Sequence, residues 1–152
     1  MTRTRIKFCG MTRIEDVQAA VDLGVDALGF VFVPGTPRAV DAARAARLVA
    51  AVPPFVATVG LFLDAEPALI DAVLAEVPLD LIQFHGAESP EACARHHRPW
   101  IKALAMGDPV DLDFQLSRYA GARGLLLDAH RAGERGGRGE VFDWSLIPRP
   151  VA

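Results

Sequence analysis

The feature that most constrains this chain is a rhythm. Short apolar runs rich in Val, Ile, Leu and Phe fall at residues 5–9, 27–33, 55–62, 79–84, 100–105 and 124–127, and longer, alanine-rich amphipathic segments fall at 13–23, 40–52, 65–77, 90–97 and 112–120. Short apolar runs with β-branched content predict buried strands, and the longer segments carry the helical period. Strand and helix alternating through short connections implies a parallel sheet with right-handed crossovers. Several helix starts carry local signals. Thr12 with Glu15 has the spacing of a capping box, and Asp64 with Pro67 suits the start of the third helix. Ser89-Pro90 opens the fourth, where proline costs nothing because its position has no helical amide partner. Gly24 lies where a left-handed stop would end the first.

Six such units fit either an open doubly wound sheet or part of a (βα)8 barrel. A dinucleotide fold would want GxGxxG after its first strand, and Cys9-Gly10-Met11-Thr12-Arg13 does not supply it. The expected class is therefore α/β, a parallel (βα)8 TIM barrel of which residues 1–152 carry about six βα units in one domain. After the sixth strand come a glycine-rich loop, a short helical segment near residues 143–147, and residues 150–152, which read as the start of a seventh strand. A whole barrel usually takes roughly 200 residues or more, so the chain reads as a barrel truncated at that strand.

Composition narrows the function. With 51% hydrophobic and 23% charged residues the chain can bury a core, and a net charge of −3 with scattered basic residues excludes a nucleic-acid footprint or a polybasic anchor. No apolar run approaches the roughly 18 residues of a membrane span, and no apolar h-region follows the charged start. Cys9 and Cys93 stand far apart without metal-type spacing, which points to a reducing cytoplasm and not to a disulfide scaffold.

Active sites of βα barrels lie at the C-terminal ends of the strands. The polar residues there are Cys9, the loop Pro34-Gly35-Thr36-Pro37-Arg38, Asp64, His85-Gly86 and Asp128. Lys7 and Cys9 are two apart on a strand and share a face, with Ile6 and Phe8 expected toward the helices. An ammonium beside a thiol favours thiolate, and a thiolate base opposite the Asp128 carboxyl makes a general acid–base pair. His96 and His97 are adjacent on a helix and make a poor metal pair. Cys93, on a helix, reads as structural.

These residues also carry a family resemblance. Lys7-Phe8-Cys9-Gly10-Met11-Thr12-Arg13 resembles the KxCGxTR opening of phosphoribosylanthranilate isomerases, enzymes of tryptophan biosynthesis. GFVFVPGTPRAV at 29–40 is similar to that family's second strand and following loop, Gln83-Phe84-His85-Gly86 to its QxHG, and Leu126-Leu127-Asp128 to its LLD. Gly136-Gly137-Arg138-Gly139 followed by Phe142-Asp143-Trp144 resembles its GGTG and FDW.

The resemblance implies an Amadori rearrangement of N-(5-phosphoribosyl)anthranilate. Cys9 would be the base at C2, Asp128 the acid at the ring oxygen, and Arg38 the clamp on the anthranilate carboxylate. Lys7, His85 and Gly137 would line the substrate site. Protons move within one molecule, so no metal or redox cofactor is implied. The expected partner is a small sugar-phosphate substrate, with a monomer or homodimer as the complete assembly. Arg138 stands where the family has Thr or Ser. The family's seventh and eighth strands, whose glycine-rich turns supply most of its phosphate site, do not occur in these residues, so phosphate binding is expected to be weak. The competing expectation is a non-catalytic, unclosed barrel serving as an assembly module through its exposed strand edges.

Overall fold

The computed structural model describes residues 3–107, 110–129 and 141–147. Within these, six strands and five helices alternate: β1 (Lys7–Cys9), α1 (Ile14–Asp22), β2 (Ala27–Val31), α2 (Ala42–Val49), β3 (Ala57–Phe62), α3 (Pro67–Glu76), β4 (Leu81–Phe84), α4 (Pro90–Ala94), β5 (Trp100–Ala105), α5 (Leu112–Arg118) and β6 (Leu125–Asp128). A 3-10 turn at Trp144–Leu146, capped by the Asp143 carboxylate accepting from Ser145 N at 2.8 Å, occupies the expected late helical segment. Residues 150–152, the expected start of a seventh strand, lie outside the described residues.

The strands pair in sequence order, all parallel, from β1 to β6. Neighbouring strands lie ~4.8 Å apart, so a flat sheet of this size would hold β1 and β6 roughly 24 Å from each other. Instead one cavity is lined by Lys7 and Cys9 of β1 together with Leu126 and Asp128 of β6. The sheet is therefore curled, a parallel half-barrel with its helices outside.

Alternation along each strand separates the two faces. Leu28, Phe30, Phe62, Ile82, Phe84, Trp100 and Leu104 point outward into a core completed by Val17 and Ala20 of α1, Ala45, Leu48 and Val49 of α2, and Ile70 and Val73 of α3. The helix contributions recur at three- and four-residue spacing, the stripe an amphipathic helix buries. Phe30, Phe62 and Phe84 are essentially inaccessible, and burial of each stabilises the fold by roughly 2–3 kcal/mol. Ile6 and Phe8 are the exception to the expected covering. They stay 45% and 39% exposed because β1 is an edge strand of the described sheet.

The helix starts divide. Ser89 caps α4, its Oγ accepting from Ala92 N at 3.3 Å, and Gly24 takes φ +77 after α1 as expected. The Thr12 cap does not form: Arg13 holds the N-cap position of α1 with no side-chain cap bond, and Glu15 turns back to Arg13 at 3.3 Å. Asp64 does not cap α3 either. Glu66 occupies that position, and the Asp64 carboxylate accepts from Ala87 N at 2.6 Å, since a loop amide of the next βα unit lies nearer than the helix start.

Candidate active site

The strand ends carry the site. Lys7 and Cys9 share the inner face of β1, and opposite Cys9 in the ladder stands Gly29. A Cβ at Gly29 would lie 2.7 Å from the Cys9 Sγ, so the absence of a side chain there is what leaves room for the thiol. Past Cys9 the chain turns at Gly10, with φ +92, a conformation suited to glycine. Gly10 N and Met11 N both donate to Gly29 O, at 2.8 and 3.0 Å, which fixes where the thiol emerges.

The loop after β2 leaves the sheet and returns to it. Thr36 Oγ1 donates to Val33 O at 3.0 Å, a parallel bridge joins Val31 to Ala39, and Val40 N donates to Val31 O at 3.0 Å. This excursion lays the Arg38 side chain over Gly10, where any Cβ would collide with its methylenes. Arg38 thus reaches the mouth beside Cys9 with its charge exposed.

From the other side come His85, just past β4, and Asp128, which ends β6. His85 N donates to Phe62 O at 2.9 Å, carrying the ladder one residue beyond β4, and His85 Nε2 lies 3.1 Å from Asp128 Oδ2. Lys7, Cys9, Thr36, Arg38, Gln83, His85 and Asp128 line one cavity of about 200 Å³, whose wall is completed by Val31, Val33, Leu61, Leu63 and Leu126. Sequence positions as far apart as Lys7 and Asp128 thereby share a single mouth. Gly137, the remaining expected substrate contact, and its neighbour Arg138 lie outside the described residues.

Behind the mouth is a polar cluster. Lys102, on the outer face of β5, is only 2% exposed; its Nζ donates to Gly86 O at 2.5 Å and Ala103 O at 3.0 Å, and lies 3.4 Å from Glu88 Oε2. The Glu88 carboxylate also accepts from Asp64 N and Gly86 N, each at 2.9 Å. Tyr119 Oη donates to Glu88 O at 3.0 Å. Asp64, at φ +46, and Gly86 pack against each other so closely that a Cβ on Gly86 would strike the Asp64 carboxylate. The loops after β3 and β4 are thus tied to β5, which holds His85 in place. Cys93, buried in α4, has its thiol pushed up to about 12, first by desolvation and then by the Glu88 charge.

The strand-end reading misses Lys102, Glu88, Tyr119 and Gly29, which pack around the mouth, and Gln83 enters that reading only through its motif. One signal was present: Lys102 is a lone charge inside the apolar run Trp100–Ala105. Asp64, read as a strand-end candidate, is drawn away from the cavity into this cluster.

A curled parallel βα sheet that gathers a thiol, a carboxylate, an imidazole and two cations at its strand ends has the arrangement of an enzyme of the TIM-barrel type. Residues 6–151 match the family model described as N-(5'phosphoribosyl)anthranilate (PRA) isomerase, and the chain belongs to that family of tryptophan-biosynthetic isomerases. A curated N-(5'-phosphoribosyl)anthranilate isomerase of Chromohalobacter salexigens is 58% identical over 152 residues, all of this chain and 71% of the relative. The crystal structure of phosphoribosyl anthranilate isomerase from Thermotoga maritima superposes with a TM-score of 0.84 at 39% identity, covering 95% of this chain and 70% of that one. A phosphoribosyl anthranilate isomerase in complex with reduced 1-(o-carboxyphenylamino)-1-deoxyribulose 5-phosphate matches at TM-score 0.76 and 37% identity, over 83% of this chain and 65% of that one.

Proposed function

We propose that this chain contributes six units of a (βα)8 barrel that converts N-(5'-phosphoribosyl)anthranilate to 1-(o-carboxyphenylamino)-1-deoxyribulose 5-phosphate, with Cys9 as general base and Asp128 as general acid. The observation that carries the reading is that Cys9 and Asp128, at the two edges of the described sheet, face one cavity. The relatives are longer than this chain, and their extra length accommodates the two units that would close the barrel.

The chemistry follows from the difference between substrate and product. Asp128 gives a proton to the furanose ring oxygen, the C1–O bond breaks, and the anilino nitrogen's lone pair makes an iminium. Cys9 removes the proton from C2, and the electrons of that bond flow to the iminium to give an enolamine. Moving the 2-hydroxyl proton to C1 then yields the ketone. Substrate and product are isomers, so no oxidant or reductant is consumed.

Arg38, with its planar fork exposed at the mouth, suits the anthranilate carboxylate. Lys7 adds positive charge beside Cys9, His85 lines the acid side, and the apolar wall suits the aromatic ring. Gly137 keeps its place as a substrate contact on the strength of its glycine-rich motif. The family's biosynthetic role favours the cytoplasm, and a homodimer is an available assembly, as in the dimeric Thermotoga maritima protein.

The test is substitution in the full-length protein. Cys9→Ala and Asp128→Asn should each lower kcat by about 10²–10⁴-fold, the range of general acid–base contributions. Wild-type turnover from either folded variant sinks the assignment.

A further inference from the structure

Arg38 stands on a loop of two consecutive turns, and one hydroxyl sits at their junction. Residues 33–36 form the first, with Pro34 second and Gly35 third. Gly35 has φ +75, and Thr36 N donates to Val33 O at 3.4 Å. Proline at the second position and a positive φ at the third mark a type II turn. Residues 36–39 form the next, closed by Ala39 N donating to Thr36 O at 3.1 Å, with Arg38 third. Thr36 is thus the residue both turns share. The amide bond that closes the first turn is long, beyond the roughly 3.2 Å limit of a good N–H···O bond. Thr36 Oγ1 donates to the same Val33 O at 3.0 Å, so the hydroxyl carries a junction that the amide holds weakly.

The loop is pinned at both ends and floored in the middle. Phe32 N donates to Leu61 O at 2.9 Å on the way out, and Val40 N to Val31 O at 3.0 Å on the way back. Between these pins the Arg38 Cβ, Cγ and Cδ lie on the bare backbone of Gly10, in the space a side chain there would need. Turn and floor together set the direction of the exposed fork. We propose that Thr36 is a positioning residue whose hydroxyl aims Arg38, and that it thereby sets the preference of the site for an aromatic amine bearing a carboxylate. The inference rests on the reading of Arg38 as the clamp on the anthranilate carboxylate. A fork aimed in advance loses less side-chain and loop freedom on binding, so the gain falls on the carboxylate it grips and not on the rest of the substrate. With its proton committed to Val33 O, the Thr36 hydroxyl acts through the loop.

Two stable ligands test this on the full-length protein: reduced 1-(o-carboxyphenylamino)-1-deoxyribulose 5-phosphate, and the same molecule without its carboxylate. Wild type should prefer the first. Arg38→Met should erase that preference, weakening the carboxylated ligand by about tenfold or more. Thr36→Val removes one hydrogen bond and nearly keeps the shape. It should weaken the carboxylated ligand about fivefold while the other stays within about twofold. KM for N-(5'-phosphoribosyl)anthranilate should rise by a similar factor with kcat within about twofold. Thr36→Ser, which keeps the hydroxyl, should restore wild-type values.

If Thr36→Val weakens both ligands alike, the hydroxyl does not act through Arg38 and the proposal is overturned. Failure of Thr36→Ser to restore binding overturns it too, because the methyl and not the hydroxyl would then matter. So does a fall in kcat as large as the rise in KM, which marks a disturbed Cys9 and not a misaimed fork. If Arg38→Met erases the preference while Thr36→Val keeps it in full, the positioning role alone fails. If Arg38→Met keeps the preference, the clamp reading fails with it.

Discussion

Gly29→Ala tests the geometry of the site without touching a reacting group. The new methyl would sit 2.7 Å from the Cys9 Sγ, 3.2 Å from its Cα and 3.3 Å from its Cβ, where ordinary contact begins near 3.4 Å. The thiol would have to retreat by roughly 0.7 Å or more, and overpacking of this kind costs about 1–3 kcal/mol. Part of that is offset, because alanine in a strand is favoured over glycine by roughly 0.5–1 kcal/mol. Net destabilisation should be about 1–2 kcal/mol, enough to shift a urea midpoint while leaving the protein folded. Catalysis should suffer more than stability. Displacement of a reacting group by about 1 Å can cost 10²-fold, so kcat for the rearrangement should fall by about two orders of magnitude with KM little changed. Gly60→Ala is the control, since Gly60 lies against Leu79 and two phenylalanine rings in the outer core, away from the thiol. It should lose stability without a comparable loss of kcat. A folded Gly29→Ala enzyme with wild-type kcat would refute both the placement of Cys9 and its role.

Three further outcomes follow from the rest of the molecule. Lys102→Met strands the buried Glu88 carboxylate, so unfolding free energy should drop by about 3–5 kcal/mol, and adding Glu88→Gln should restore part of it in urea titrations. A thiol held at about 12 is almost wholly protonated at pH 8, so native protein should label at Cys9 with iodoacetamide while Cys93 labels only after denaturation, as peptide mapping would show. Asp26 is held down at about 2, first by Ile6 N–H and then by Arg5 and Arg3. A carboxylate depressed in the folded state stabilises fully above its unfolded value near 4, and that stabilisation is lost as pH falls toward 2. The stability gap between wild type and Asp26→Ala should therefore narrow across that acid window in denaturant melts, and a gap unchanged down to pH 2 would remove Asp26 from the account.

The order of elements was legible because periodicity is a property of neighbours. Each strand announces itself by a short apolar run, each helix by its stripe, and the parallel topology follows from their alternation. The ends of elements were less legible, and Thr12 and Asp64 show why. Each carries a capping side chain, but α1 and α3 begin one and two residues later, behind Arg13 and Glu66, and the Asp64 carboxylate is taken by a partner from distant sequence. Asp64 serves the loop after β4, more than twenty residues on, because curling of the sheet brings that loop within 2.6 Å. Nothing in the local sequence registers such a neighbour.

The same distinction separates the parts of the site. Cys9, Arg38, His85 and Asp128 were found because strand ends converge in any βα barrel, so position along the chain predicts position at the mouth. Gly29 and Glu88 could not be found that way, since their importance lies in what stands across from them. Gly29 matters only through the register that sets it opposite Cys9, and Glu88 only because a lysine is buried beside it. Lys102 was the one visible clue. A lone ammonium inside an apolar strand has to find an anion or lose its charge, and here the anion it finds belongs to the loop that carries His85. The side of the mouth that carries His85 and Asp128 is therefore held by a bond whose two partners lie outside the cavity. A substitution at Lys102 should reach Asp128 through His85, lowering kcat as well as stability.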